Sequence, residues 1–277
     1  MEFFTGLFTS FSPSIPNNLD GLISPSLSQD DIEMLTKIPT AGEIKNVVFS
    51  MGSNKSPGAD GMPALFFKFY WNVIGGEVIE AVISFFNRRY MLKEINHSFI
   101  VLIPKGNNVA FINQFRPISL CNVLYKIISK LLANRLKQIL NKLISPWQTA
   151  FIPSRNIQEN TFIAQEILHS MKKKKGKTRW LALKIDMEKA YDHLEWNFLE
   201  KVLQCFEFPS IWIQWVMQCA STTSFSILIN GSPFGFFKPQ RGVRQGDPLS
   251  PFLFVLVAEV LAQLIEREAT LQWHKRL

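Results

Sequence analysis

The amino-acid sequence predicts a mixed α/β (α+β) fold, and three observations support it. Residues 124–143 carry apolar side chains at a helical period of 3.6 residues, whereas residues 225–229 alternate with the strand period of two. Asn230-Gly231 follows that strand and is a strong signal for a two-residue hairpin, because both residues tolerate positive φ. The 277 residues, 47% of them hydrophobic, suffice for one large domain or two small ones with cores.

Further elements are predicted from capping residues and apolar spacing. Residues 1–38 carry several prolines and small polar residues, and we expect them to be loosely organised. Helices are predicted from Ser28, from Thr40 with Glu43 in a capping-box pattern, within residues 64–90, over 124–143 up to Pro146, from Asn156 to about Met171, over 194–206, and from Pro251 to about Glu268. Strands are predicted over Phe99–Ile103 and Leu181–Ile185 as well as 225–229.

The formal net charge is +8. A basic surplus favours a polyanionic partner, nucleic acid first and an anionic membrane second, although many basic proteins bind no acidic partner. The basic run formed by Lys172–Lys175, Lys177 and Arg179 is interpreted as a solvated loop in preference to a specific nucleic-acid contact.

Cysteine usage and apolar runs indicate an intracellular, non-membrane protein. Cys121, Cys205 and Cys219 are widely spaced without a CxxC pair, which argues against a disulfide framework or a zinc site. The start MEFFTGLFTSF lacks a basic n-region, so we expect no signal peptide. The longest apolar run, Phe252–Ala258, ends at Glu259 and is too short to span a bilayer.

The first candidate site is the segment Lys184–Asp192. Asp186 follows a predicted buried strand, and the end of a strand is a rigid place from which a carboxylate can hold Mg²⁺ together with water and phosphates. Tyr191 stands five residues later, and its ring can form a wall of the site beside a bound sugar. The alternative is that Asp186 or Asp192 only caps the following helix, and this segment alone favours that alternative.

The second candidate is the loop Arg241–Pro251, which follows the hairpin and opens a helix. Gly242 and Gly246 allow the backbone to approach a ligand closely, and the helix start offers free N–H groups to a phosphate. Gln245 can hydrogen-bond a backbone, a sugar or a base edge. A simple turn with a helix cap is the alternative, and the length of the string favours function.

The third candidate is a pair of cations. Lys105 ends the string Ile103-Pro104-Lys105, and Arg116 lies in the string Phe115–Asn122. A lysine at a loop tip and the planar fork of an arginine can together clamp a triphosphate. Each residue alone is better explained as an exposed surface cation.

Taken in order, these strings resemble the conserved blocks of reverse transcriptases, most closely those of plant LINE-type non-LTR retrotransposons. The resemblance covers about residues 40–270. The matching strings are Lys55-Ser56-Pro57-Gly58 with Asp60-Gly61, Leu102–Lys105, Phe115–Asn122, Gln148–Ile152 with Arg155, Asp186–Asp192 and Arg241–Pro251. The Phe115–Asn122 string argues against a weaker alternative, a group II intron maturase.

The resemblance implies a right-hand polymerase that uses Mg²⁺, an RNA template, a DNA primer and deoxynucleoside triphosphates (dNTPs), located in the nucleus or the cytoplasm. Residues 1–50 would be a linker, 51–178 the fingers and 179–277 part of the palm, with the reverse transcriptase domain over about 88–277. By motif match, the residue roles would be Asp186 as catalytic metal ligand with the Met187 carbonyl assisting, Tyr191 as the gate against a ribose 2′-OH, Lys105 and Arg116 on the triphosphate, and Gln245 and Gly246 on nucleotide and template.

One family motif, the aromatic-Ala-Asp-Asp hairpin of the palm, does not occur in the sequence, and we expect no thumb in these 277 residues. Asp30-Asp31 is the only Asp-Asp pair and is interpreted as a helix cap. We therefore expect a truncated palm sheet, an incompletely packed last helix and no polymerisation by this chain, because one carboxylate cannot position two Mg²⁺ ions. The alternative function is a non-enzymatic remnant that binds RNA or an RNA–DNA hybrid.

Overall fold

The computed structural model describes residues 1–16, 19, 21–24, 27–176 and 180–274. Within them, helices and strands combine in the mixed α/β fold that the sequence predicts. The α-helices are α1 Glu2–Leu7, α2 Gln29–Thr36, α3 Ala41–Phe49, α4 Ala64–Phe69, α5 Trp71–Arg88, α6 Lys93–Asn96, α7 Val123–Leu143, α8 Ile157–Lys173, α9 Trp196–Cys205, α10 Ser210–Ser221 and α11 Ser250–His274. The strands are β1 His97–Pro104, β2 Phe115–Cys121, β3 Ser224–Ile229 and β4 Ser232–Phe237.

The four strands form one sheet in the order β2-β1-β3-β4. β1 pairs antiparallel with β2, so that Ile103 faces Arg116, and parallel with β3. The β3–β4 hairpin turns at Asn230 and Gly231, whose φ values of 51° and 82° are those that a two-residue turn of this type requires. This hairpin prediction is confirmed, whereas β2 and α10 had not been predicted.

The main core lies around α7, whose apolar stripe is buried as predicted, and α2, α3, α5 and α11 pack against it. Arg135 on α7 is buried and holds the helices together: its Nε and Nη2 donate to the Glu43 carboxylate at 3.2 and 3.1 Å, and its Nη1 donates to the backbone carbonyl of Leu35 at 3.1 Å. An arginine fork can satisfy several acceptors at once, which explains how its charge is tolerated in the core.

Asp31 caps α2 in a reciprocal capping box with Ser28, as the sequence interpretation of the Asp30-Asp31 pair predicts. Its carboxylate also accepts hydrogen bonds from the Lys142 ammonium at 2.8 Å. This bond, followed by those from Ser28, lowers the pKa of Asp31 from 3.8 to about 2. The pair connects α2 to the end of α7.

The first residues are better ordered than the sequence suggested. They form α1, and Phe4 and Phe8 pack with Ile100, Phe225 and Phe237 in a second, smaller apolar cluster on the sheet. Residues four apart lie on one face of a helix, so Phe4 and Phe8 together can cover sheet side chains that water would otherwise contact.

The predicted strand Leu181–Ile185 is wrong, because residues 180–187 have no regular structure. Neither β2 nor β4 pairs with this segment. A strand is stable only when its backbone groups are paired, so the alternating apolar residues remain in water: Leu181, Leu183 and Ile185 are 91%, 78% and 61% exposed. Asp186 consequently lies on an irregular exposed segment instead of at the end of a buried strand.

In the part of the chain that the structure describes, no helix is long and apolar enough to cross a membrane. The end of α11 leaves apolar residues in solvent, with Leu261 40% and Ile265 53% exposed, which agrees with the expectation of an incompletely packed last helix. Of the predicted basic run, Lys172–Lys175 are exposed, whereas Lys177 and Arg179 lie outside the described residues.

Candidate nucleotide-binding site

The β1–β2 hairpin brings Lys105 and Arg116 to the same end of the sheet. Arg116 is paired with Ile103 in the strand register, and the Lys105 N–H donates to the carbonyl of Gln114 at 3.0 Å just beyond the last pair. Both side chains are exposed. Antiparallel pairing therefore places two cations, eleven positions apart in the sequence, at one rim of the sheet.

The loop from Arg241 to Gly246 is bonded by its backbone to two other parts of the chain. The N–H groups of Gly242 and Val243 donate to the carbonyls of Leu194 and Tyr191 at 2.7 and 2.8 Å, and the carbonyl of Gln245 accepts from Ser119 of β2 at 2.8 Å. The loop thus lies between β2 and the turn that follows Asp186, which fixes the position of Gln245.

Both loop glycines are required by the backbone. Gly242 and Gly246 have φ values of 93° and 104°, which are strained for other residues. A Cβ on Gly242 would also lie 2.8 Å from the carbonyl oxygen of Asp192. That these glycines let the backbone approach a ligand closely stays a prediction.

Lys105, Arg116 and Gln245 line one small cavity of about 180 Å³. Its remaining walls come from α1, β2 and the turn after Asp186, namely Phe3, Phe4, Leu7, Phe115, Pro117, Lys189 and Asp192. The Lys189 ammonium also lies 4.7 Å from the centre of the Phe3 ring. The structure therefore gathers three of the sequence-predicted site residues and adds a third cation and one carboxylate to them.

Asp192, which the sequence argument considered only as a helix cap, lies 2% exposed at this cavity. Its Oδ1 accepts a hydrogen bond from Nε2 of Gln245 at 3.1 Å. Burial raises the pKa of Asp192 from 3.8 to about 6, although the Gln245 bond and the charges of Lys189 and Lys105 act in the opposite direction. Its sequence position next to Tyr191 gave no sign of this burial, which depends on packing.

Arg244 is a second residue that the sequence argument left without a role. It is 4% exposed, and its guanidinium donates to the carbonyl of Cys219 at 2.8 Å and to the Ser98 hydroxyl at 3.2 Å. The guanidinium carbon lies 3.6 Å from the centre of the Tyr125 ring. Arg244 therefore anchors the loop that carries Gln245 to β1, α7 and α10.

Asp186, Met187 and Tyr191 do not line the Lys105–Arg116 cavity. Asp186 is exposed, and Tyr191 is half-buried with its ring stacked on Phe254 of α11 at 5.2 Å. Met187 lines a separate apolar groove of about 610 Å³ beside α9 and α11. Neither Asp186 nor Asp192 caps α9, which begins after Glu195.

The described residues contain no group of three or more His, Cys, Asp or Glu side chains that could hold a metal ion. Mg²⁺ in nucleotide sites is bound by one or two carboxylates with waters and phosphates. Asp186 supplies one exposed carboxylate, on the irregular segment 180–187 instead of at the end of a strand.

Comparison with known proteins identifies the family. The family model for reverse transcriptase (RNA-dependent DNA polymerase) matches residues 103–274, more than half of the chain. The chain is 31% identical to an uncharacterized 149 kDa protein of transposon TX1 from Xenopus laevis. That match extends over 272 residues, which are 97% of this chain and 20% of the relative. It is also 30% identical to a retrovirus-related Pol polyprotein of the type-1 retrotransposable element R2 from Nasonia vitripennis. That match extends over 265 residues, which are 91% of this chain and 24% of the relative.

A shorter match extends to a plant. Over 40 residues the chain is 60% identical to the uncharacterized mitochondrial protein AtMg01250 of Arabidopsis thaliana, which is 14% of this chain and 33% of the relative. The chain spans 20% and 24% of the length of the two long relatives. On these matches the chain belongs to the reverse transcriptase family, and its domain matches the Pol proteins of non-LTR retrotransposons.

Proposed function

We propose that the cavity between β1, β2 and the Arg241–Gly246 loop holds the triphosphate of an incoming dNTP. In this proposal the chain is the nucleotide-binding part of an RNA-directed DNA polymerase, which extends a DNA primer on an RNA template, from a plant LINE-type element. The observation that carries the proposal is the convergence of Lys105, Arg116 and Gln245 on one cavity. These residues come from three segments of the chain, and the family resemblance implies a nucleotide contact for each of them.

The charges of the cavity suit a polyphosphate. Lys105, Arg116 and Lys189 supply three cations, and the planar fork of Arg116 can bond two phosphate oxygens at once. Gln245 is a neutral side chain that both donates and accepts, which suits a base or a sugar hydroxyl better than a phosphate. We assign the phosphates to the cations and the nucleoside to Gln245.

The cavity is smaller than the roughly 300–1,000 Å³ of typical ligand pockets. Phe3 and Leu7 of α1 form part of its wall. A nucleotide therefore binds with its nucleoside at the mouth of the cavity or displaces these side chains. Replacing Phe3 by alanine should then strengthen dNTP binding, because it enlarges the cavity and frees Lys189 from the aromatic ring.

Two divalent ions would supply the charge stabilisation of phosphoryl transfer in such a polymerase. In this chain Asp186 is the residue we assign to a metal ion, with the Met187 carbonyl beside it, and Tyr191 is the residue we assign to the ribose gate. We propose that residues 51–178 are the fingers and 179–277 belong to the palm. Because the aromatic-Ala-Asp-Asp carboxylates do not occur in the sequence, the 277-residue polypeptide is expected to bind dNTP without polymerising it.

Calorimetric titration of the 277-residue chain with Mg²⁺–dNTP tests the proposal. Lys105→Met and Arg116→Met should each weaken binding about tenfold or more, since a charge-assisted hydrogen bond contributes about 1.5–3 kcal/mol. Lys93→Met, a change at an exposed lysine outside the cavity, is the matched control. Equal affinities for the wild type and both cavity variants contradict the nucleotide site, and Mg²⁺-dependent primer extension contradicts the predicted inactivity.

A second candidate function, binding of RNA or an RNA–DNA hybrid without catalysis, is favoured by a group of lysines near α7. Lys126 and Lys130 donate to the backbone carbonyls of Ser56 and Ser50 at 3.3 Å, and Lys68 bonds the same loop at Met51. Bonds to carbonyls leave the net positive charge of this surface in place. A non-enzymatic binder should show affinity that falls steeply with salt and survives Lys105→Met and Arg116→Met, whereas the nucleotide site requires both cations.

A further inference from the structure

We infer that Asp192 is a positioning residue for nucleotide recognition, because its carboxylate sets which atom of the Gln245 amide faces the cavity. This inference rests on the proposed function. It concerns a residue to which the motif comparison assigned no role. Three features support it: the Asp192–Gln245 contact, the fixed backbones that carry the two side chains, and the surrounding charges.

The contact is directional. Nε2 of Gln245 lies 3.1 Å from Oδ1 of Asp192, and Asp192 is almost fully buried. An ionised carboxylate only accepts hydrogen bonds, so the amide must turn its NH₂ group toward Asp192. Its oxygen, Oε1, is then free for a donor in the cavity. The opposite orientation would place two acceptors against each other in a buried position, where an unsatisfied polar group costs about 1–3 kcal/mol.

Both side chains extend from backbones that are already fixed. The Asp192 N–H donates to the carbonyl of Lys189 at 2.9 Å, and the carbonyl of the preceding Tyr191 accepts from Val243 at 2.8 Å. The Gln245 carbonyl accepts from Ser119 at 2.8 Å. The free torsions are therefore those of the side chains, and the Asp192–Gln245 bond restricts them. Such a supporting contact is what precise placement of a binding group requires.

The charged groups around Asp192 come from three elements. Lys105 extends from the end of β1, Arg116 from β2 and Lys189 from the same turn as Asp192, whereas α1 contributes only the apolar side chains Phe3, Phe4 and Leu7. Lys189 and Lys105 favour the carboxylate, but burial dominates and raises the pKa of Asp192 to about 6. Below that pH Asp192 becomes a neutral acid that can donate as well as accept, and the orientation of the Gln245 amide is no longer imposed.

Nuclear magnetic resonance tests the orientation directly, without any nucleotide. In ¹⁵N-labelled protein, the side-chain NH₂ signals of Gln245, assigned by their loss in Gln245→Ala, should shift with an apparent pKa of about 6. In Asp192→Asn these signals should not shift in that pH range. Gln245 signals that do not titrate, or that titrate equally in both proteins, overturn the inference.

A double-mutant cycle on dNTP affinity tests the role in recognition. Asp192→Asn should weaken binding about tenfold in the wild type and less than about twofold in the Gln245→Ala background, because a positioning residue acts through its partner. Asp60→Asn, at an exposed aspartate outside the cavity, is the control and should leave affinity unchanged. Additive losses overturn the inference alone, whereas a wild-type chain that binds no dNTP overturns the proposed function and the recognition role together.

Discussion

Replacement of Arg244 by methionine should strongly destabilise the protein, because Arg244 is a buried cation whose partners cannot turn to solvent. It donates to the carbonyl of Cys219, the Ser98 hydroxyl and, at 3.4 Å, the carbonyl of Asn96, and it stacks on Tyr125. Methionine keeps much of the apolar stem, so the loss isolates the guanidinium.

The magnitude follows from two contributions. The 2.8 Å bond to Cys219 is a charge-assisted hydrogen bond, which contributes about 1.5–3 kcal/mol. The desolvated cation–π contact with Tyr125 adds about 1–2 kcal/mol. We therefore expect a loss of about 2.5–5 kcal/mol. At about 2–4 °C per kcal/mol, the melting temperature should fall by roughly 5–20 °C.

Urea unfolding followed by tryptophan fluorescence measures the change in the free energy of unfolding. Arg116→Met is the matched control, because it is the same substitution at an exposed arginine and should change stability by less than about 0.5 kcal/mol. A loss below about 1 kcal/mol for Arg244→Met would refute the reasoning, since it would mean that the buried acceptors find other partners at little cost.

Three further predictions concern other parts of the chain. Lys142→Met should raise the pKa of Asp31 from about 2 toward 3.8. Ionised Asp31 contributes its full stability above about pH 4 and loses it as the pH falls toward 2, so acid unfolding of the variant, followed by circular dichroism, should begin at a higher pH. An unchanged acid transition would mean that the Lys142–Asp31 bond does not stabilise the fold. Gly58→Ala should lower the melting temperature, because the added Cβ would collide with Asn122. Gly106→Ala is the control, since the space around Gly106 is open, and equal melting temperatures for the two variants argue against the collision. The double variant Leu183→Thr/Ile185→Thr should reduce the light scattering of concentrated protein more than Leu92→Thr does, because Leu183 and Ile185 are exposed members of one apolar run. Equal scattering would exclude that run as the cause of aggregation.

Local structure was largely predictable because it depends on neighbouring residues. The Ser28–Asp31 cap, the Asn230-Gly231 turn and the apolar stripe of α7 each follow from the spacing of a few side chains. The predicted strand at Leu181–Ile185 failed for the complementary reason. Its short apolar run is suitable for a strand, but strand formation requires hydrogen bonds to a neighbour, which no local pattern specifies.

The order of the motifs in the sequence by itself indicated the family and predicted nucleotide contacts for Lys105, Arg116 and Gln245. Their convergence on one cavity was decided by the tertiary structure, through β1–β2 pairing and the backbone bonds that hold the Arg241–Gly246 loop against β2. Only the folded chain also showed that Asp192 and Arg244 are buried. Burial depends on what the rest of the chain places around a side chain. Removal from water raises the pKa of Asp192 and makes Arg244 an anchor.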